Sequence, residues 1–269
     1  MTKYLQMNTK SLITNPYLLV WSIAFIEFWV IMFAYVFGNR IPSTEEAVRI
    51  YTATAFGSLL MLSLSSSVVT ITQSLLYSSK SIRFITKYTK LSPSRFLLEN
   101  LASSLVVLLI ISAVMFVSVT GVFYARFGML MLPVDWVGLI FSIVISTLFI
   151  YSFSLFLNFV IVHLRAPRAA SFITFLPLML GFTAYASIWI DFGSFTYVSP
   201  FNCIISICYY FFSGKAPPTG NLLMQSGQSL VNIPGAMGSL IVWSVTLLLL
   251  GVVLLRKMRG LNIEEIRTN

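Results

Sequence analysis

Residues 50–76 read IYTATAFGSLLMLSLSSSVVTITQSLL, a run of 27 residues without one charged side chain. About 20 apolar residues in a helix suffice to cross the hydrocarbon of a bilayer, so this run predicts a membrane-spanning helix. It is also unusually rich in hydroxyls: Thr52, Thr54, Ser58, Ser63, Ser65, Ser66, Ser67, Thr70, Thr72 and Ser74. Lipid-facing surface gains nothing from hydroxyls, whereas small polar residues let helices pack closely and hydrogen-bond. The run is therefore expected inside a helix bundle or against a second subunit.

Similar runs flank it near Tyr17–Phe37, Phe96–Tyr124, Trp136–Val162, Ala169–Ile190 and Ala236–Leu255. The chain is 58% hydrophobic and 9% charged, against about 25% charged residues in soluble domains. The expected fold is all-α: six transmembrane helices in a single membrane domain over residues 1–269, with no room for a soluble domain. The first run, with Phe25, Phe28, Trp29, Phe33, Tyr35 and Phe37, reads as the more lipid-facing. No small-residue cleavage pattern follows it, which argues against a removable signal peptide.

A net charge of +9 would suggest nucleic acid in a soluble protein, but here the distribution of charge matters more. With the N-terminus inside, Lys3, Lys10, Lys80, Arg83, Lys87, Lys90, Arg95, Arg165, Arg168, Arg256, Lys257, Arg259 and Arg267 are cytoplasmic, and Arg40, Arg49, Arg126 and Lys215 are outside. Cytoplasmic loops retain Lys and Arg during insertion, so this asymmetry predicts a multi-pass protein of the cell membrane with both termini cytoplasmic and no nucleic-acid partner.

Three segments do not read as spans. In residues 1–16, Met1, Tyr4, Leu5 and Leu12 share one helical face, as in a short helix lying in the interface before Asn15-Pro16. Residues 191–234 hold an apolar stretch, Tyr197–Phe212, bounded by Ser199-Pro200 and by Gly214, Pro217 and Pro218. It is too short to cross, and predicts a re-entrant or interfacial hairpin on the outer side. Cys203 and Cys208 are five residues apart, so a helix turns them to different faces and two buried free thiols are expected. The third segment is basic, at residues 80–95.

Catalytic motifs are missing. There is no G-x-x-x-x-G-K-[ST] phosphate loop, H-E-x-x-H or G-x-S-x-G in the chain, and its one histidine, His163, ends the fourth run beside Arg165 and Arg168. The expectation is a protein that is not itself an enzyme and binds no metal or cofactor. Inside the apolar runs the clearest ionisable group is Glu27. Burying such a group is costly, and intramembrane carboxylates mark ion or proton paths, although secondary carriers usually have several. Glu27, Ser58, Ser66 and Thr70 are the candidate residues for a substrate path.

The basic segment is Lys80-Ser81-Ile82-Arg83-Phe84-Ile85-Thr86-Lys87-Tyr88-Thr89-Lys90, then Leu91-Ser92-Pro93-Ser94-Arg95. Ile82, Ile85 and Tyr88 recur at helical spacing among cations, and Ser92-Pro93 stops the helix. This pattern predicts a cytoplasmic helix that docks on a partner through Lys80, Ile82, Arg83, Ile85, Lys87, Lys90, Ser92, Pro93 and Arg95.

In three places the chain resembles the ABC-2 type permeases, the membrane-spanning subunits of exporters driven by a separate ATPase. Thr14-Asn15-Pro16 opening the first span and Tyr35-Val36-Phe37-Gly38 closing it are similar to that family's first helix. The stretch from Lys87 to Asn100 resembles its loop between spans two and three, where a coupling helix meets the ATPase. Tyr197-Val198-Ser199-Pro200-Phe201 resembles its outer re-entrant region. Two departures leave the subfamily and the cargo open: Ser78-Ser79-Lys80 stands where acidic residues are common, and Gly181-Phe182-Thr183 where Ser-Gly is usual. The resemblance implies ATP and Mg bound by partner ATPase subunits, a second copy or a similar permease alongside, and export of an amphiphilic drug, lipid, peptide or glycan. The alternatives are an ion- or proton-coupled carrier using Glu27, and a membrane anchor that transports nothing.

Overall fold

A computed structural model of the chain describes the backbone of residues 3–88, 93–163, 170–223 and 229–256. Side-chain surroundings are described for residues 5–76, 98–163, 171–223 and 229–253. The described residues form helices and turns, with two isolated β-bridges, Asp191 to Gly220 and Pro218 to Leu230, and no strand. In order, these are α1 (Lys3–Ile13), α2 (Pro16–Arg40), α3 (Glu45–Tyr88), α4 (Pro93–Phe127), α5 (Trp136–His163), α6 (Ala170–Tyr185), α7 (Phe195–Val198), α8 (Pro200–Ser213) and α9 (Ile233–Arg256).

Six stretches are long and apolar enough to cross a membrane: Pro16–Arg40, Glu45–Leu76, Leu98–Phe127, Trp136–His163, Ser171–Ile188 and Ile233–Val253. Each coincides with a run read from the sequence. The Ser103 hydroxyl near the start of α4 contacts the Leu5 carbonyl of α1, and Arg126 at the end of α4 donates to Asn39 at the end of α2, so α4 runs alongside α2 in the same direction.

Local chemistry sets the helix starts. The Asn15 side-chain oxygen accepts the Tyr17 N–H at 3.0 Å and Pro16 occupies the first turn, so the chain enters α2 with an orphan donor satisfied. Ser199 and Pro200 open α8 in the same way, and Gly214, at φ 76°, closes it in the left-handed conformation that favours glycine. Two wider π-type turns interrupt α2, at Val20–Ala24 and Met32–Val36.

Helix α3 is the axis. Of its most apolar window 94% is buried, against 28% for the first and last spans, so the hydroxyl-rich helix is the central one, as the sequence predicts. It packs against α2, α4, α5, α6 and α8, while α9 docks on α5 and α8. At 44 residues and about 1.5 Å per residue it extends roughly 66 Å, about twice the hydrocarbon thickness. The expected docking helix at Ser81–Lys90 is not a separate element as far as Tyr88: α3 runs into it without a break.

The aromatic face of α2 is divided. Phe28 and Tyr35 are exposed, in keeping with a lipid-facing helix, but Phe33 is fully buried. Trp29 and Phe33 both pack on Tyr185, and Phe37 packs on Trp189. The π-type turns rotate part of that face inward, a register change that simple helical periodicity does not anticipate.

The apolar stretch after the fifth span becomes α8, 14 residues long and buried along most of its length. Phe201 at its start packs on Phe149 and Phe153, halfway along α5. At its other end the carbonyls of Phe211 and Phe212 accept the N–H groups of Asp135 and Val134, just before α5 begins. The helix thus covers half the depth of the bundle. Cys203 and Cys208 within it are buried free thiols, as expected from their spacing.

Candidate functional site

Seven of the hydroxyls of α3 fall into two groups. Thr52, Thr54, Ser58 and Ser65 donate to the carbonyl one turn earlier in their own helix, at 2.7–3.0 Å. Such bonds satisfy the hydroxyl locally and leave little for a neighbour. Ser63, Ser66 and Ser67 instead reach α2. Ser63 donates to the Ser22 carbonyl at 2.5 Å, and Ser66 and Ser67 contact the Ser22 hydroxyl at 3.1 and 3.0 Å. Ser22 lies in the first π-type turn, where the backbone carbonyls are displaced from their usual partners. On the other side of α3, Asn158 of α5 donates to the Thr72 carbonyl at 3.2 Å.

One turn beyond the serine cluster, α2, α3 and α6 separate at the N-terminal end of the bundle and leave a cleft of about 180 Å³. Ser66, Thr70, Gln73, Ser171 and Thr174 line it with polar groups, and Tyr17, Trp21 and Phe175 with rings. The structure therefore brings Ser66 and Thr70 of the predicted path together. Ser58 lies elsewhere, buried and bonded to the Thr54 carbonyl. Glu27 is also apart, half-buried on α2, with its Oε1 buried and without a hydrogen-bond partner among the described residues.

The opposite end carries a second constellation. Lys215 pairs with Glu46 at the start of α3, and Thr219 donates to Asp191 at 2.7 Å. These contacts hold the segment after α8 against the bundle, beside a cavity of about 310 Å³ between Ile41, Tyr51, Thr54 and Leu222. Arg49 and Arg126, two further cations at this end, are also engaged, by Glu45 and Asn39 respectively. An apolar groove of about 260 Å³ runs between α4 and α5, lined by Leu109, Phe116, Trp136 and Ile140.

The backbone from Lys80 to Tyr88 is helical and belongs to α3, and Pro93 and Arg95 open α4. Lys90 and Ser92 lie outside the described residues, as do the side chains of Lys80, Ile82, Arg83, Ile85, Lys87, Pro93 and Arg95.

Two polar residues at the foot of α4 escape sequence reasoning. Asn100 and Ser104, one turn apart, are buried, and among the described residues Asn100 Oδ1 and Ser104 Oγ have no hydrogen-bond partner. The neighbouring Ser103 hydroxyl contacts the Leu5 carbonyl at 3.3 Å, which fastens α1 to this region. Their burial depends on where α1 lies, which periodicity within α4 does not encode.

The fold and these sites define a multi-pass helical membrane protein. Comparison with protein families, with curated proteins and with solved structures finds no match.

Proposed function

We propose that this chain is the membrane-spanning subunit of an ABC-2 type exporter, which moves an amphiphilic substrate out of the cell with energy from separate ATPase subunits. The observation that supports it is the continuity of α3. The most buried helix of the bundle extends without a break into the basic segment that the sequence marks for docking. A displacement at residues 80–88 would be carried along one rod to the hydroxyl clusters and to the contacts with α8. A continuous helix transmits such motion as a rigid element, in contrast to a flexible loop.

In this reading ATP and Mg bind to the partner ATPases, whose closure pushes the foot of α3 and the start of α4. The bundle tilts against a second copy, or a similar permease, and the path between them opens outward. The basic segment and both termini face the cytoplasm of the cell membrane, in keeping with the cation asymmetry. Aromatic and hydroxyl linings with almost no charge suit an amphiphile better than a strongly ionic cargo.

One observation favours a second reading, a proton-coupled carrier. Glu27 Oε1 is buried without a partner among the described residues, as a carboxyl that exchanges protons inside the membrane would be. Co-purification separates the readings. A permease brings down a P-loop ATPase, a carrier brings down none, and a membrane anchor brings down a protein without a nucleotide site.

A further inference from the structure

The cleft between α2, α3 and α6 has a composition that restricts its ligand. Thr70 is 2% exposed, Gln73 is half-buried and Ser171 is exposed, and the Thr70 hydroxyl, the Gln73 amide and the Ser171 hydroxyl make no hydrogen bond among the described residues. Polar groups that line one cleft without a protein partner are free to hydrogen-bond an occupant, and Thr70, on a residue that is otherwise enclosed, gains most from one. None of the described lining residues is a carboxylate, ammonium, guanidinium or imidazole. Among the described lining residues a phosphate would find no charged partner to offset its lost hydration, and anionic headgroups are usually held by Lys or Arg. Neutral hydroxyls meet no such penalty against amides and hydroxyls.

Size and position add to this. Drug pockets run to about 300–1,000 Å³, and a cleft of about 180 Å³ takes a headgroup rather than a whole drug-sized molecule. Tyr17 and Trp21, in the first turns of α2, are partly exposed at the rim, where amphipathic rings stand at the level of lipid headgroups. Phe172 and Phe175 on α6 are exposed alongside, offering an apolar surface to attached chains.

We propose that this cleft binds the uncharged, polyhydroxylated headgroup of a membrane lipid, of the glycosyl-glycerolipid class, from the leaflet at the N-terminal end of the bundle. Thr70, Gln73 and Ser171 hydrogen-bond the headgroup hydroxyls, and the rings of Tyr17 and Trp21 cover its apolar faces. That such a lipid is cargo rests on the exporter reading; its binding does not.

The test is native mass spectrometry of the detergent-purified full chain, incubated with equal amounts of monoglucosyl-diacylglycerol and phosphatidylglycerol. The expected result is at least fivefold preferential retention of the glycolipid, a tenfold loss of that retention in the double variant T70V/Q73L, and its recovery in T70S with Gln73 kept. Equal retention of the two lipids, preference for phosphatidylglycerol, or undiminished glycolipid binding in the double variant would overturn the proposal. So would displacement of the glycolipid by free glucose at equal concentration, which would assign the cleft to a soluble sugar. If T70V/Q73L does not fold, the wild-type competition decides alone. No ATPase enters this measurement, so its failure leaves the exporter reading standing, and the reverse holds as well.

Discussion

The carbonyl oxygen of Ile205 lies 2.9 Å from the place where a β-carbon on Gly57 would stand. This close approach seats the half-length helix α8 directly on the central helix α3. In an isolated helix Gly→Ala gains about 1 kcal/mol, but here the added methyl group meets backbone, which yields poorly. Gly57→Ala is expected to lower stability, and the unfolding midpoint in graded SDS measures it. A raised midpoint would show that the contact between α3 and α8 is looser than described.

The serine cluster makes a differential prediction. Ser63→Ala removes a bond to the main chain of α2, whereas Ser22→Ala leaves Ser66 and Ser67 bonded to the Ser63 carbonyl at 2.8 and 2.9 Å. Interhelical hydrogen bonds in membranes average about 0.6 kcal/mol and reach about 1.7. Ser63→Ala is expected near the upper part of that range and Ser22→Ala near its foot. The same SDS titration checks the order.

Both cysteines are buried, Cys203 with its thiol 3.3 Å from the Thr196 carbonyl and Cys208 beside Ser142 at 3.7 Å. A membrane-permeant maleimide should leave the native protein unlabelled and modify both thiols after SDS denaturation. Rapid labelling of the native protein would mean that α8 leaves its seat between α3, α5 and α9.

Glu27→Gln separates the exporter from the carrier. ATP-driven export should stay within about twofold of wild type, whereas a carrier that depends on this carboxyl would lose transport by an order of magnitude or more. Uptake and efflux in proteoliposomes, with and without the ATPase, give the comparison.

The six spans were legible because each is a long apolar run bounded by charge or proline. Trp136–Val162 became Trp136–His163, and the hydroxyls of residues 50–76 correctly marked the innermost helix. The bounds of α8 were legible from Ser199-Pro200 and Gly214, which are local stop signals. The inward turn of Trp29 and Phe33 was not, because it depends on two π-type turns that no side-chain pattern announces. Nor was the cleft: Thr70 and Gln73 read as two more polar residues of α3 until Tyr17 and Ser171, about 50 and 100 residues away in sequence, close around them.

The central claim is that an ATPase grips the basic foot of α3, and affinity capture of the full chain from its own membranes, with the retained P-loop ATPase quantified, tests it most directly. The wild-type chain should retain the ATPase, and the double reversal R83E/K87E should insert normally yet lose at least tenfold of it, since reversed charges repel the surface they formerly attracted. Equal amounts on both chains, or none on the wild type, would contradict the account.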